Sequence, residues 1–450
     1  MRTSIFTALF AMTTLLPLSA MAADTIESRL QTLEQELNRQ STTIQEQRKL
    51  IEELKQKVNE QPTDTPQKAE AVPPQQDTSG SKLSGLFGGS LMTNPYISVI
   101  LDTKGYASNL KNSQLETRGV PGYTTEGLGL RNGFNVDAAE LMIFAPVDPY
   151  FNLYTNIPVT SDGATLEEAY FVTTALPEGF QIKGGRFKSN ASRLNAKHPH
   201  AWDFTDLPLP YRAFLGQEGL GGENGVQLTW MPSLPVYTLL GFEALQGDNP
   251  LLFGDNGNQG PHAFTSFARV SFDTSDDSTL YLSPWVMFGK TNSTLIRDGF
   301  EMRGDSSLYG LEAVWKWKSG HQKLSLQGEY LYLVQNGNLI DVAAAVPDES
   351  LKRHQDGAYL QAMYHLDRWG AGVRYDRMEI FSDTFEQGGV LQKFSGKPWR
   401  LTGSMEYNPT EFSRIRAQFT HDRSDRNGLV NNEGILQFTF SIGAHGAHAF

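Results

Sequence analysis

The sequence predicts an all-β protein, a sixteen-stranded antiparallel transmembrane β-barrel that follows an N-terminal α-helical coiled coil. Three observations predict this fold. An apolar leader begins the chain, short segments of alternating polarity fill most of its length, and their connections alternate between short and long. Aromatic residues are abundant, with 26 Phe, 16 Tyr and 7 Trp, although the mean hydropathy is −0.38. That combination suits an aromatic, lipid-facing exterior around a polar interior.

Residues 1–22 have the pattern of a secretory signal peptide. Arg2 supplies the positive start, Ile5 to Leu18 form an uncharged and largely apolar run, and Ala20-Met21-Ala22 gives a small-x-small cleavage site. A retained membrane anchor is the alternative. No other stretch approaches the roughly 20 consecutive apolar residues that a spanning helix needs. The sequence therefore predicts export without helical membrane spans.

Residues 23–60 show a heptad pattern that predicts a coiled coil. Apolar residues recur at alternating steps of three and four, at Ile26, Leu30, Leu33, Leu37, Ile44, Ile51, Leu54 and Val58. Such a short helix is marginal alone in water, so the pattern predicts self-association, and a lone solvated helix is the alternative. Residues 61–95 are rich in Pro, Gln, Ser, Thr and Gly, which predicts a disordered linker.

Residues 96–450 contain the barrel strands. Seven tight connections, at residues 146–149, 176–179, 232–235, 274–277, 318–320, 367–368 and 408–410, alternate with longer ones. The longer connections are 108–132, 188–224, 247–262, 291–306, 336–355, 382–396 and 424–432, with a brief one near 161–163. Outer-membrane barrels turn tightly on the periplasmic side and carry longer loops outside. The count predicts sixteen strands, with both barrel ends and the coiled coil in the periplasm of a Gram-negative cell.

The final strand shows the alternation most clearly. Leu436, Phe438, Phe440 and Ile442 alternate with Gln437, Thr439 and Ser441, which places one set on lipid and the other in the lumen. The chain then ends at Phe450, and a terminal aromatic residue after an amphipathic strand is an assembly signal that predicts the barrel assembly machinery as a partner. A soluble β-sandwich is the alternative. The register is ambiguous at Val136–Ala145 and Leu166–Thr174.

The connection 188–224 is the longest in the barrel and the third long one. In sixteen-stranded porins this connection commonly folds inward and narrows the lumen. Its cations would favour anions at a constriction if they face the pore, namely Lys188, Arg193, Lys197 and Arg212. The alternative is that these cations are solvated or pair with Asp203, Asp206 and Glu218.

Further charges on the strands are predicted to line the pore. The bases are Arg269, Lys316, Arg374, Arg400, Arg414 and Arg416, and the acids are Glu243, Glu312, Glu329, Asp376 and Glu406. Opposed rows of acids and bases would create a transverse field that selects polar solutes. The alternative is that they pair across strands and only fill the barrel.

Two histidine pairs were considered as metal ligands. His198 and His200, with Asp203, could bind Zn²⁺ through imidazole and carboxylate groups, and hydrogen-bonded loop histidines are the alternative. His445 and His448 fall on opposite faces of the last strand and could share an ion only across a bulge. The chain has no Cys, so disulfides and thiolate sites are excluded. Zinc is thus the only cofactor that the sequence raises.

Other function classes are disfavoured. The sequence lacks G-x-S-x-G, H-E-x-x-H and phosphate-loop motifs, which predicts that the protein is not an enzyme. The formal net charge of −12, without a basic stripe, argues against nucleic-acid binding.

Several blocks of sequence resemble a proteobacterial outer-membrane family labelled "zinc-regulated TonB-dependent outer membrane receptor". The blocks are residues 176–187, 195–204, 211–216 and 441–450, and the most specific is His198-Pro199-His200-Ala201-Trp202-Asp203-Phe204. The architecture also resembles the phosphate-selective porin O/P group, which implies a trimer with sixteen strands per chain. The first resemblance implies zinc and energised uptake.

The sequence therefore predicts an outer-membrane porin-like channel for small hydrophilic solutes, with anions favoured, that is narrowed by the connection 188–224. The alternative is a receptor or uptake protein for zinc or a zinc complex. A third possibility is structural, with residues 24–60 tethering the outer membrane to peptidoglycan. Expected partners are outer-membrane lipid and two further copies of the chain, joined through the barrel and the coiled coil.

Overall fold

The computed structural model describes residues 95–125, 127–254, 260–297, 300–341 and 349–443. The predicted signal peptide, the coiled coil and all but the last residue of the linker lie outside the described residues. The pair His445 and His448 and the terminal Phe450 also lie outside them.

Sixteen antiparallel strands among the described residues form a closed barrel. They are β1 (Tyr96–Ser108), β2 (Gly133–Asp148), β3 (Phe151–Thr160), β4 (Glu168–Thr173), β5 (Phe180–Lys188), β6 (Gly222–Trp230), β7 (Tyr237–Leu245), β8 (Ala263–Ser275), β9 (Ser278–Arg297), β10 (Phe300–Ser319), β11 (Gln322–Asp341), β12 (Glu349–Leu366), β13 (Trp369–Gln387), β14 (Trp399–Thr410), β15 (Ser413–Asp422) and β16 (Asn431–Gly443). Each strand pairs with its neighbours in sequence, and β1 pairs with β16 to close the sheet. The predicted barrel of sixteen strands is confirmed.

Shorter elements decorate this wall. Two-residue strands at Gly163–Ala164 and Val390–Leu391 pair with β3 and β13. The helices are α1 (Asn112–Glu116) and α2 (Leu209–Leu215), and single 3₁₀ turns occur at Pro177–Gly179 and Pro199–Ala201. No helix in the described part of the chain is long and apolar enough to cross a membrane.

The strands differ greatly in length, which corrects the predicted connections. Residues 291–306 and 336–355 were predicted as long connections, but β9, β10 and β11 each have 20 residues and reach Arg297, Phe300 and Asp341. About 9–11 residues suffice to span a bilayer. These strands therefore continue beyond the lipid as paired sheet, and on the inner face of this part of the wall Met302, Leu339, Leu351 and Phe385 form a buried apolar cluster.

Alternation of the side chains gives the wall two distinct faces. On β16, Leu436, Phe440 and Ile442 are exposed on the outside, while Gln437 is buried inside. The structure also settles which face points inward in the two segments of ambiguous register, because Glu140 on β2 and Glu168 on β4 are both buried in the interior. An acidic side chain on the lipid face would be costly, which selects this register.

Candidate functional site

The connection between β5 and β6, residues 189–221 and here named the inner segment, runs through the interior of the barrel. It contacts β1, β10, β13 and β14, which lie in different parts of the wall and can be reached together only through the lumen. Much of it is buried, including Leu209, Tyr211 and Phe214, and these side chains share one apolar core with Trp285 of the wall. The inner segment therefore fills a large part of the lumen.

Glu243 on β7 fixes the start of the inner segment. Ser189 Oγ donates to Glu243 Oε2 at 2.5 Å, and the Asn190 backbone N–H donates to Glu243 Oε1 at 2.8 Å. Gln227 Nε2 also donates to Glu243, and Arg269 Nη2 donates to the Asn190 carbonyl. Two residues predicted to line an open pore, Glu243 and Arg269, thus hold the backbone of the inner segment.

The four cations predicted to form an anion-favouring constriction do not form a ring of pore-facing charges. Lys188 Nζ lies 2.9 Å from Glu167 Oε1, and Arg193 lies 3.8 Å from Glu312 Oε1. Burial lowers the pKa of Lys197, and burial lowers the pKa of Arg212 to about 10. Arg212 Nη2 also donates to the Arg118 carbonyl. Pairing and burial replace the predicted constriction of pore-facing cations, because the segment packs against the wall.

His198 and His200 meet three glutamates on one side of the lumen. The histidine cluster, as we name it, comprises His198, His200, Glu140, Glu167 and Glu168. His198 Nδ1 lies 3.2 Å from Glu167 Oε2, and His198 Nε2 lies 2.8 Å from Glu168 Oε2. His200 Nδ1 lies 3.1 Å from Glu140 Oε2. The cluster holds the inner segment against β2 and β4.

The pKa of His198 reflects two opposing effects. Burial by itself lowers the pKa of His198, but the hydrogen bonds to Glu167 and Glu168 outweigh it and raise the value to about 9. The Glu167 carboxyl loses solvation by burial, yet its contacts with His198 and Lys188 hold its pKa well below its usual range. Opposite charges at this distance favour the charged forms of both partners. At neutral pH, His198 is therefore an imidazolium between carboxylates.

A second part of the wall, β13 and β14, holds the inner segment through arginines. The arginine cluster, as we name it, comprises Arg374, Arg400, Asp206 and Asp376. Asp206 Oδ2 lies 3.0 Å from Arg374 Nη2 and 2.9 Å from Arg400 Nη1. Asp376 contacts both arginines at 3.1 and 2.9 Å and also accepts from the Leu209 backbone N–H. Arg374 and Asp376 are essentially inaccessible, so this cluster is a desolvated network rather than a surface ion pair.

Helix α2 packs at the centre of the lumen. Pro208 precedes the helix and Pro210 lies in its first turn, where a missing N–H costs little. All seven residues are buried. Tyr211 Oη donates to Glu329 Oε2 at 2.6 Å, and Trp285 Nε1 and Tyr359 Oη donate to the same carboxyl. Glu329 therefore anchors the helix to β11 and does not face an open channel.

The connection between β1 and β2 adds a second layer. Arg118 is buried and lies 3.2 Å from Asp422 Oδ1, and Tyr123 Oη donates to Glu379 at 3.2 Å. Arg426, from the connection between β15 and β16, also pairs with Glu379. Several connections from one rim thus converge above the inner segment and bury its polar groups.

The remaining predicted pore residues also face the interior. Arg416 contacts Glu406 at 2.8 Å and donates to the Trp202 carbonyl, and Arg414 donates to the His200 carbonyl. Lys316 lies on the interior side of β10. The role of all these residues as pore lining remains a prediction.

Sequence reasoning missed the acids of the histidine cluster and the role of Asp206 as the partner of two arginines. Glu140 and Glu168 fall in the segments whose register was ambiguous, so neither was assigned to the lumen. An acidic residue within an apolar strand was the available signal, because such a residue must face inward.

Asp203 is not brought to the two histidines. Its Oδ2 accepts a 2.8 Å hydrogen bond from Gln361 Nε2 on β12, whereas His198 and His200 contact Glu140 on β2. Within the described residues, no group of three or more His, Asp or Glu side chains is arranged to hold a metal ion. The predicted set of His198, His200 and Asp203 therefore does not assemble in this structure, because the histidines face β2 and Asp203 faces β12.

Comparison with solved structures finds outer-membrane channels. A loop-deletion variant of OmpT from Vibrio cholerae has a TM-score of 0.49 and 9% identity, covering 78% of this chain and 100% of that one. An anion-selective porin from Comamonas acidovorans has a TM-score of 0.49 and 10% identity over 78% and 100% of the two chains. The DcaP channel of Acinetobacter baumannii has a TM-score of 0.48 and 14% identity over 78% and 97%. These values do not carry a function to this chain.

Sequence comparison is more informative. A curated protein of Aquifex aeolicus strain VF5, described as uncharacterized, is 38% identical over 383 residues, which is 79% of this chain and 80% of that protein. The family model described as "TonB dependent receptor-like, beta-barrel" matches residues 179–422, which contain β5, the inner segment and β6 to β15. Together with the closed barrel, this match identifies the chain as a member of the TonB-dependent-receptor-like β-barrel family of the outer membrane.

Proposed function

We propose that this protein is an outer-membrane uptake channel for small hydrophilic solutes, and that the inner segment is its gate. The rim with the longer connections faces outside, and both barrel ends face the periplasm. The observation that carries the proposal is the attachment of the inner segment to two separate parts of the wall by two ionic clusters. The solute passes when the segment detaches from one of these parts.

The energetics of these contacts favour a segment that can move. The inner segment is a connection without strand pairing to the wall, joined covalently only at Lys188 and Gly222. A buried ion pair is close to neutral in free energy relative to its separated, solvated partners, because desolvation offsets the attraction. Water entering the lumen would therefore compensate for much of the loss when the arginine cluster separates.

The same movement explains a preference for anions. When Asp206 leaves, Arg374 and Arg400 keep only Asp376 as a carboxylate partner, and Arg416 remains with Glu406. Arg414 adds a further cation on this side. Asp102, Asp422 and Glu433 lie near the same arginines, so the preference for anions rests on the guanidinium groups that the departure of Asp206 exposes and not on a net positive wall.

Planar-bilayer recordings test the proposal. The full chain is compared with a variant in which residues 191–219 are replaced by a short Gly-Ser linker, so that the barrel strands are retained. We expect brief or small openings for the wild type and large, stable openings for the variant. A salt-gradient reversal potential should show anion preference. Equal conductance of the two proteins, or no openings in either, would overturn the gating function.

The histidine cluster supports a second candidate, an uptake receptor for zinc or a zinc complex. It brings two imidazoles and three carboxylates together, and these are ligand types that zinc accepts. In the structure these groups are not arranged to hold a metal ion, so zinc would have to rearrange them. In the closed arrangement both ring nitrogens of His198 already contact carboxylates, so zinc would compete with these contacts.

Calorimetric titration with Zn²⁺ separates the two candidates. If the cluster binds zinc, replacing His198 and His200 by alanine should abolish the binding heat, whereas Asp203→Ala should leave it unchanged. Zinc binding that survives the double histidine variant would remove the receptor hypothesis.

We also propose that the protein is a homotrimer. The heptad pattern of residues 23–60 supports self-association. Native mass spectrometry of the full chain should give three times the mass of one chain. A monomer mass in both the full chain and a variant lacking residues 24–60 would contradict the proposal.

A further inference from the structure

An apolar groove of about 490 Å³ opens on the outer face of the barrel, where β1, β2 and β16 meet. The rim groove, as we name it, is formed on this face by Gly105, Ala107, Phe134, Gly434 and Leu436. Phe134 is 95% exposed. The groove exists because small residues replace large ones, since no atom lies within 4 Å of the position that a Cβ on Gly434 would occupy.

The rim groove lies close to the rim that carries the longer connections. Gly105 and Ala107 are within three residues of the end of β1, and Gly434 is three residues after the start of β16. At about 3.4 Å per residue, the groove lies within about 10 Å of that rim. Phe134 and Val136 are large apolar side chains exposed at the same end of β2, which indicates that this part of the outer face meets lipid.

Exposed cations lie in the connections that leave the strands beside this groove. Lys111, Arg131 and Arg423 are all exposed. Lys111 and Arg131 lie next to each other because their chain neighbours are bonded: the backbone N–H and the side chain of Asn132 donate to Asn112 Oδ1. Arg423 follows the last residue of β15, which pairs with the first residue of β16. The chain as a whole has a net charge of −12, whereas this part of its surface carries three exposed positive charges.

We infer that this site binds a phosphate-bearing, multiply acylated glycolipid of the outer leaflet, with an acyl chain in the rim groove and phosphate on the cations. The orientation of the barrel, but not its conduction, is taken from the proposed function. Exposed Glu116 on α1 is a nearby opposing charge, and it leaves the patch net positive. Phosphate attracts Lys and Arg at a membrane surface, with each contact contributing about a five-fold change in binding.

Native mass spectrometry of the full chain in detergent tests the inference, with lipid A, phosphatidylglycerol and phosphatidylethanolamine as probes. The wild type should retain lipid A most strongly. Combining Lys111→Glu, Arg131→Glu and Arg423→Glu should weaken lipid A retention more than ten-fold, and Gly434→Leu should weaken it by filling the groove. Lys352→Glu, at an exposed cation elsewhere on the same rim, is the matched control.

Three outcomes would overturn the inference. They are equal retention of all three lipids, retention unchanged in the triple variant, and a change of oligomeric mass rather than of lipid binding in Gly434→Leu. The last outcome would assign the groove to a second copy of the chain. Thiol labelling of Lys111→Cys on intact cells checks the orientation separately, since the chain has no other Cys.

Discussion

Replacing Asp206 by asparagine should release the inner segment from the arginine cluster. Asp206 supplies the carboxylate through which the segment contacts both Arg374 and Arg400, at 3.0 and 2.9 Å. Gln418 Nε2 donates to its other oxygen at 2.9 Å. Asparagine keeps the shape and one acceptor but removes the charge, so Asp376 would be the one carboxylate left in the arginine cluster. The Leu207 carbonyl, which accepts from both arginines, would remain.

The pKa of Asp206 gives the size of the effect expected for Asp206→Asn. Burial raises this pKa, but Arg374 and Arg400 outweigh burial and lower it from 3.8 to about 2. That shift corresponds to about 2 kcal/mol in favour of the attached state. Because the pKa is lowered, this contribution is fully present above pH 4 and is lost as pH falls toward 2. At neutral pH, Asp206→Asn should therefore raise the ratio of open to closed time about 30-fold while the closed state still dominates.

Single-channel recording at pH 7 measures this ratio directly. Asp203→Asn is the matched control, because Asp203 lies in the same segment but accepts one hydrogen bond from the neutral Gln361 amide. Its effect should be less than about five-fold. Equal open probability in wild type, Asp206→Asn and Asp203→Asn, with all three barrels folded, would refute the assignment of the arginine cluster as an attachment point.

Three further outcomes follow from the same contacts. The pKa of His198 is raised to about 9, so its charged form stabilises the attached segment fully below pH 6.5, and this contribution is lost as pH rises through 9. The open probability of the wild type should therefore rise over that range, whereas that of His198→Gln should not change with pH. Positions 210 and 357 are close enough for a disulfide, since a Cβ at 357 would lie 3.1 Å from Pro210 Cγ. The double variant Pro210→Cys with Gly357→Cys should open less often until a thiol reductant is added, and each single variant is the control. Tyr211→Phe removes one hydrogen-bond donor from the buried Glu329 carboxyl and should lower the free energy of unfolding by about 1–3 kcal/mol. An unchanged free energy of unfolding would contradict that contact.

The strand pattern could be predicted because it depends on local alternation. Leu311 and Leu401 face outward and Glu312 and Arg400 face inward, as the alternation of apolar and charged residues requires. Prediction failed at residues 291–306, because a strand that extends beyond the lipid needs no apolar outer face and therefore resembles a loop in composition.

The candidate site was only partly predictable. The third long connection and its cations were identified from their position and composition, but their partners were not. Asp206 meets Arg374 and Arg400 across sequence separations of more than 160 residues, and no local pattern encodes such a pairing. The same holds for His198 and Glu167, which come together because the inner segment turns back toward β4.

The sequence by itself determined the barrel, its strand number and the inward position of most charged strand residues, because lipid on one face and water on the other impose a period of two. Only the tertiary structure decided what those charges contact. A segment that enters the lumen replaces water as the partner of Arg374, Arg400 and Glu243, and burial then makes ionic pairing obligatory. That exchange changes the predicted open, charged channel into a barrel whose interior is occupied by its own chain.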